Sequence, residues 1–140
     1  MTTPLTYSNA LPDKIQFHKL YETTGWNAGY QRSADKLYEG LCKSWYVIGV
    51  YADEELVGFG RILSDGVLHA FIVEMIVDPA YQGRGIGRRI VQDMVQHCLS
   101  HGITDIQLFC AKGKVGFYEK QGFVRRYDDA PGMQYRADFN

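Results

Sequence analysis

Cysteine is scarce in this chain and wrongly spaced for pairing: Cys42, Cys98 and Cys110 form an odd set with no CxxC. A disulfide framework and a cysteine zinc site both lack footing, so no metal is expected and a reducing cytoplasm is. Excess charge is missing too. With 15 basic against 16 acidic residues, the footprint of a nucleic-acid binder or of a protein held on a charged membrane is absent. No run of about 18 apolar residues occurs, and the polar N-terminus has no basic start followed by an apolar core. Neither a membrane span nor a signal peptide is expected. Internal repeats, low-complexity tracts and linkers are also lacking. What remains is 140 residues with 46% apolar and 14% aromatic content. That reads as one domain over residues 1–140, burying about two-thirds of its unfolded surface.

Spacing predicts the elements. Residues 4 to 8 read as a short strand. Leu11-Pro12-Asp13 opens a helix with Phe17, Leu20, Tyr21 and Thr24 on one face, ended by Gly25. A loop over 26 to 32 carries Trp26, Tyr30 and Arg32. Ser33 is suited to cap a second helix bearing Ala34, Leu37, Tyr38, Leu41 and Cys42 on one side. Strands follow over Trp45–Ala52, Leu56–Leu63 and Leu68–Val77, turned at Asp53-Glu54-Glu55 and Ser64-Asp65-Gly66. A helix after the glycine-rich loop presents Ile86, Ile90, Val91, Met94, Val95, Cys98 and Leu99 along one face and stops at Gly102. Next come a strand over Ile106–Cys110 and a helix over Val115–Gln121 with Gly122 at its end. Two last strands, roughly 123 to 128 and 133 to 138, are expected on either side of Ala130-Pro131-Gly132. The sum is a mixed α/β domain, an antiparallel meander followed by a β-α-β crossover.

The densest signal lies where an apolar strand ends at Asp78-Pro79 and Ala80-Tyr81-Gln82-Gly83-Arg84-Gly85-Ile86-Gly87 leads into a helix. Three glycines in five residues allow close backbone approach, and the first helical turn offers unpaired N–H groups and a positive dipole end. Arg84, Arg88 and Arg89 add charge at that end, so a pyrophosphate is the expected guest. A plain chain-reversing turn is the alternative. A dinucleotide fingerprint fails because Ile90 stands where a third glycine is needed, and no Gly-Lys-Ser or Gly-Lys-Thr completes a Walker loop.

Gln82-x-x-Gly85-x-Gly87 after a strand resembles the acyl-CoA pyrophosphate loop of the GNAT superfamily of N-acetyltransferases. Asp78-Pro79 before it and Phe117-Tyr118-Glu119-Lys120-Gln121-Gly122-Phe123 after it strengthen the likeness, which covers about residues 45 to 125. The resemblance implies a GNAT-like, mainly antiparallel sheet whose crossover carries the cofactor loop. It implies acetyl-CoA as cosubstrate, with the strand before the loop splayed from the strand after the crossover helix. The backbone of Met75, Ile76 and Val77 would bind the pantetheine arm as an added strand. The N–H groups of Gln82, Gly83, Arg84, Gly85, Ile86 and Gly87, with Arg88 behind them, would hold the pyrophosphate.

Acetyl transfer needs a neutral amine, a stabilised oxyanion and an acid for the departing thiolate. Tyr118 occupies the place of the family's acid; a tyrosine packed with its hydroxyl on a carbonyl is the other reading. Phe117 packs, in one reading against the cofactor arm. Glu74 interrupts an apolar strand on the face that alternation gives to Ile72 and Ile76. It is either the base or half of an ion pair with Arg61. His69 is a proton-relay candidate or a solvated histidine. Lys112 and Lys114 either reach the cofactor's 3′-phosphate or are solvated. Cys110-Ala111 stands where the family commonly has an asparagine, and a nucleophilic Cys110 would need a histidine partner that the sequence does not identify.

The resemblance assigns the acceptor pocket to the first helices, their loop and the C-terminal strands. Here that means Phe17, Tyr21, Trp26, Tyr30, Met133 and Tyr135, aromatics that would equally serve as core. The expected reaction is direct transfer to a small-molecule primary amine. A protein or peptide N-acetyltransferase and a non-catalytic CoA-binding sensor are the alternatives. The resemblance also allows a homodimer through exposed C-terminal strands.

Overall fold

The computed structural model describes residues 3–137. Strand β1 (Leu5–Ser8) precedes helix α1 (Lys14–Glu22), which Asp13 caps by accepting the Gln16 N–H at 3.0 Å. The loop after it holds a single helical turn, α2 (Asn27–Tyr30), where the sequence reading had only a loop. Helix α3 (Ala34–Leu41) starts at Ser33, whose Oγ accepts the Lys36 N–H at 3.1 Å. Both caps satisfy amides that a helix start leaves without partners.

Strands β2 (Tyr46–Ala52), β3 (Glu55–Ser64), β4 (His69–Ile72) and β5 (Ile76–Val77) follow in antiparallel sequence, with β4 and β5 both on β3. A 3-10 turn (Pro79–Tyr81) leads through the glycine loop to α4 (Ile86–Ser100). Strand β6 (Asp105–Leu108) then pairs parallel with β4, and α5 (Val115–Lys120) is the last helix among the described residues. The sheet order is β1-β2-β3-β4-β6, with β5 attached to β3 alone. This is the mixed, mainly antiparallel α/β fold with a β-α-β crossover.

The sheet has a core on each face. Ile62 and Ile72 of the sheet pack against Ile86, Ile90 and Met94 of α4. Phe17, Leu20, Tyr21, Leu41, Phe59 and Ile76 pack under α1 and α3. Helix α4 lies so close that a Cβ built on Gly60 would come within 2.7 Å of Ile90 Cγ2 and 2.8 Å of Met94 Cε. The sequence reading had not singled out that glycine.

Two expected elements fail. The strand over 68 to 77 is broken: β3 pairs Ile62 with Ile72 but Phe59 with Ile76, so four steps on one strand face three on the other. The extra residue is a β-bulge, and Glu74 within it takes φ 26°. Alternation is therefore lost, and Ile72 and Ile76 enter opposite cores. The second failure is at the C-terminus, where residues 123–137 form no strand; residue 138 lies outside the described residues. Val124, Tyr127, Met133 and Tyr135 are exposed there, and a strand needs a partner and a covered face to hold such a pattern.

Burial leaves a titration signature. The phenols of Tyr21 and Tyr46 are both pushed up to about 12 from 10.0, chiefly by loss of water; Glu74 adds to the first and Asp93 to the second. Both stay protonated in the fold at a pH where an unfolded tyrosine ionises. Their stabilisation is complete below pH 10 and is lost as pH climbs through about 12. Denaturant melts at increasing pH should show stability falling across that window; a flat profile would contradict the assignment.

Candidate active site

Beyond Ile72 and Leu108 the parallel pairing of β4 with β6 stops. The chain turns through the bulge into β5 on one side and through Phe109 to Ala111 on the other, which opens a cleft. Strand β5 hydrogen-bonds β3 along one edge, and its opposite edge has no strand partner among the described residues. Of the three residues expected to bind the pantetheine arm, Met75 lines the cavity beside this gap, while the side chain of Ile76 is buried in the core under α1 and α3. An extended amide chain could add to such an edge.

The glycine loop follows directly on β5. Asp78 Oδ1 accepts the Ala80 N–H at 2.8 Å, and Gln82 Nε2 donates to the Val77 carbonyl at 3.2 Å, fixing how the chain leaves β5. Gly83 and Gly85 adopt φ 79° and 80°, a left-handed region that suits glycine. The first bond of α4 beyond its cap runs from Arg89 N–H to Gly85 O at 3.1 Å. By helix geometry the amides of Ile86, Gly87 and Arg88 have no intrahelical acceptor. Ile86 is buried, so only its backbone can meet a ligand. A Cβ on Gly87 would sit 3.4 Å from Phe117 and 3.6 Å from both Met75 and Val77. Strand end, helix start and α5 therefore converge on one backbone position.

The arginines separate. Arg88 lies exposed beside the nest with its guanidinium near Gly85, and Arg84 covers the Tyr81 ring at 4.9 Å. Arg89 instead stacks on Tyr7 of β1 at 3.8 Å, which corrects its expected place among the phosphate-facing charges.

A cavity of about 610 Å³ continues the cleft. It gathers Trp26, Tyr30, Tyr21, Glu74, Met75 and Tyr118, which the sequence reading had proposed singly. Phe71 and Phe109, edge to face at 5.1 Å, also line it, as does Gln134, all three additions, and so does Arg61, already expected as a partner for Glu74. Tyr118 is half-buried, and burial followed by the nearby Cys110 raises its phenol above the ordinary value. Such a group remains a proton donor at neutral pH. Phe117 meets it edge to face at 5.0 Å.

Glu74 is found in the ion pair: Arg61 Nε donates to its Oε2 at 2.5 Å and a terminal nitrogen to its Oε1 at 3.2 Å. This is the ion pair with Arg61 that the sequence offered as one of its two readings of Glu74. Several candidates stand elsewhere. Phe17 is core. Met133 and Tyr135 are exposed, with Gln134 between them on the cavity wall. His69 starts β4 at the end of the sheet away from the cleft, its Nδ1 paired with Asp105, so it is no relay. Cys110 lines a second groove, of about 690 Å³, along the open edge of β6. Lys112 and Lys114 are exposed on the turn before α5.

Known proteins resemble this chain in sequence and fold. The model of the Acetyltransferase (GNAT) family matches residues 15–123. An uncharacterised N-acetyltransferase, ycf52, of Pyropia yezoensis is 30% identical over 130 residues, covering 90% of this chain and 73% of its own. The histone acetyltransferase TAP1 of Glycine max is 28% identical over 132 residues, covering 86% of this chain and 56% of its own. A GNAT family acetyltransferase of Streptococcus pneumoniae shares the fold with a TM-score of 0.81 at 24% identity, covering 96% of this chain and 99% of that one.

Proposed function

The chain belongs to the GNAT family of acetyltransferases, and on that premise we propose that it transfers the acetyl group of acetyl-CoA to a primary amine of a small molecule. The observation that carries this reading is the edge of β5 away from β3 running into the backbone amides that open α4, with the Tyr118 phenol in the adjoining cavity. Pantetheine amides extend β5, the loop amides and Arg88 hold the pyrophosphate, and the thioester lies toward Tyr118. The neutral amine attacks the thioester carbonyl, the tetrahedral intermediate collapses, and the thiolate leaves with a proton from Tyr118. Glu74 accepts an amine N–H at the cavity wall, directly or through a water. No metal takes part.

The small-molecule acceptor is favoured by a cavity of about 610 Å³ walled by Trp26, Tyr30, Phe71 and Phe109, a size and lining that suit one compact ligand. A peptide acceptor is the second reading, supported by the relative named a histone acetyltransferase. Thiol release with a panel of arylalkylamines, polyamines and lysine peptides separates them. The expected result is turnover of aromatic amines well above any peptide; peptides turning over faster would reverse the choice.

Two further readings belong to this proposal. A homodimer is supported by the open edge of β6 and the exposed Val124, Tyr127, Met133 and Tyr135 beside it. Sedimentation giving a monomer at micromolar concentration would remove it. A reducing cytoplasm is supported by Cys42, Cys98 and Cys110, all free thiols. Localising the tagged chain tests that reading, and accumulation in another compartment would overturn it.

A further inference from the structure

We propose that Arg61 is a positioning residue for acetyl transfer, acting by locking the Glu74 carboxylate at the wall of the acceptor cavity. This rests on the transferase reading above. Arg61 sits on β3 opposite the bulge, where its own carbonyl accepts the Val73 N–H at 3.1 Å. Its side chain is only 12% exposed and that of Glu74 21%, so neither charge is freely solvated. The guanidinium makes four hydrogen bonds in three directions. Two, from Nε and Nη2, form a fork onto Glu74 Oε2 and Oε1; the other terminal nitrogen, Nη1, donates to the Gly40 carbonyl at 3.2 Å and to Ser44 Oγ at 3.1 Å.

Those anchors tie three pieces of chain to one point: the last turn of α3, the turn into β2, and the bulge. The bulge needs such a tie, because Glu74 at φ 26° is a non-glycine residue in a backbone region that costs free energy and persists only where its surroundings impose it. The fork uses one lone pair on each carboxylate oxygen and leaves the others for donors in the cavity. An amine nitrogen or its water can then meet an acceptor whose direction is set before it arrives. A lysine could not replace this arrangement, since one ammonium cannot fork onto a carboxylate and also reach both Gly40 and Ser44.

The test is a double-mutant cycle on the full chain with R61M, R61K, E74Q and R61M/E74Q, reading acetyl-CoA affinity by calorimetry and kcat and KM for the best amine of the panel. Expected is a loss of about tenfold or more in amine kcat/KM for R61M, with acetyl-CoA affinity changed by less than about twofold. R61K is expected not to restore the rate. Adding R61M to E74Q should cost less than about threefold further, because the residue acts through the carboxylate already removed. Should R61M fold poorly, S44A removes one anchor without unpairing the buried charge, and it should lower amine kcat/KM by a fewfold at unchanged melting temperature. Independent, multiplying losses in the cycle would overturn the proposal. So would full activity of R61K, or of S44A if it serves instead. If wild-type protein binds acetyl-CoA yet acetylates no amine, the transferase reading falls and this one with it; multiplying losses in an active enzyme remove this one alone.

Discussion

Tyr118→Phe is expected to lower kcat by about 100-fold while leaving acetyl-CoA affinity unchanged, the low end of what a positioned general acid contributes. The variant keeps the ring that packs against Phe117 and Phe123, and removes only the hydroxyl in the cavity. Its effect therefore isolates proton delivery to the thiolate. The raised phenol also sets the shape of the wild-type pH profile. Because the protonated form is the working one, the fall in rate at high pH should lie above the ordinary tyrosine range. Full activity of the variant would return Tyr118 to a packing role and favour a chain that binds CoA without turning it over.

Gly60→Val should cost about 3 kcal/mol of stability, the upper end for overpacking a close-fitting core, and lower the melting temperature by about 10 °C. The added carbons enter a space already filled by Ile90 and Met94, which are fully buried on the inner face of α4. Helix α4 begins at the anion nest, so pushing it away from β3 should also weaken acetyl-CoA binding. Gly40→Ala serves as the control, because a Cβ there meets nothing within 4 Å. In the last turn of a helix that change should be neutral or stabilise by less than about 1 kcal/mol. Equal stability of the Gly60→Val variant and wild type would contradict the close approach of α4 to the sheet.

The contrast between those glycines shows what could be read from sequence. Local signals held: Asp13 and Ser33 cap their helices because a short polar side chain answers an orphan amide in the same turn. Gly83 and Gly85 are legible for a similar reason, as their tight spacing before an amphipathic helix has a backbone use of its own. Features that depend on a distant partner were not legible. Gly60 matters because of residues 30 and more positions away. Nothing within Ile72 to Ile76 announces a bulge; the register shift arises from pairing both β4 and β5 with β3. Arg89 looked like a phosphate ligand until Tyr7 supplied a ring to stack on. The C-terminal pattern read as strands because alternation is visible in sequence, whereas a partner edge is not. Among the candidate site residues, Tyr118, named by motif, lines the cavity, and so do the aromatics Tyr21, Trp26 and Tyr30. His69 and Met133, which also had no motif behind them, do not line it.

A calorimetric titration of the full chain with acetyl-CoA, run beside free coenzyme A and ATP, tests the central claim most directly. The cleft between β5 and β6 and the nest at α4 together predict that both pantetheine-bearing ligands bind, and that ATP, which offers phosphates without the arm, binds far more weakly. No binding of acetyl-CoA, or ATP binding equally well, would contradict the claim that this cleft receives an acyl-CoA.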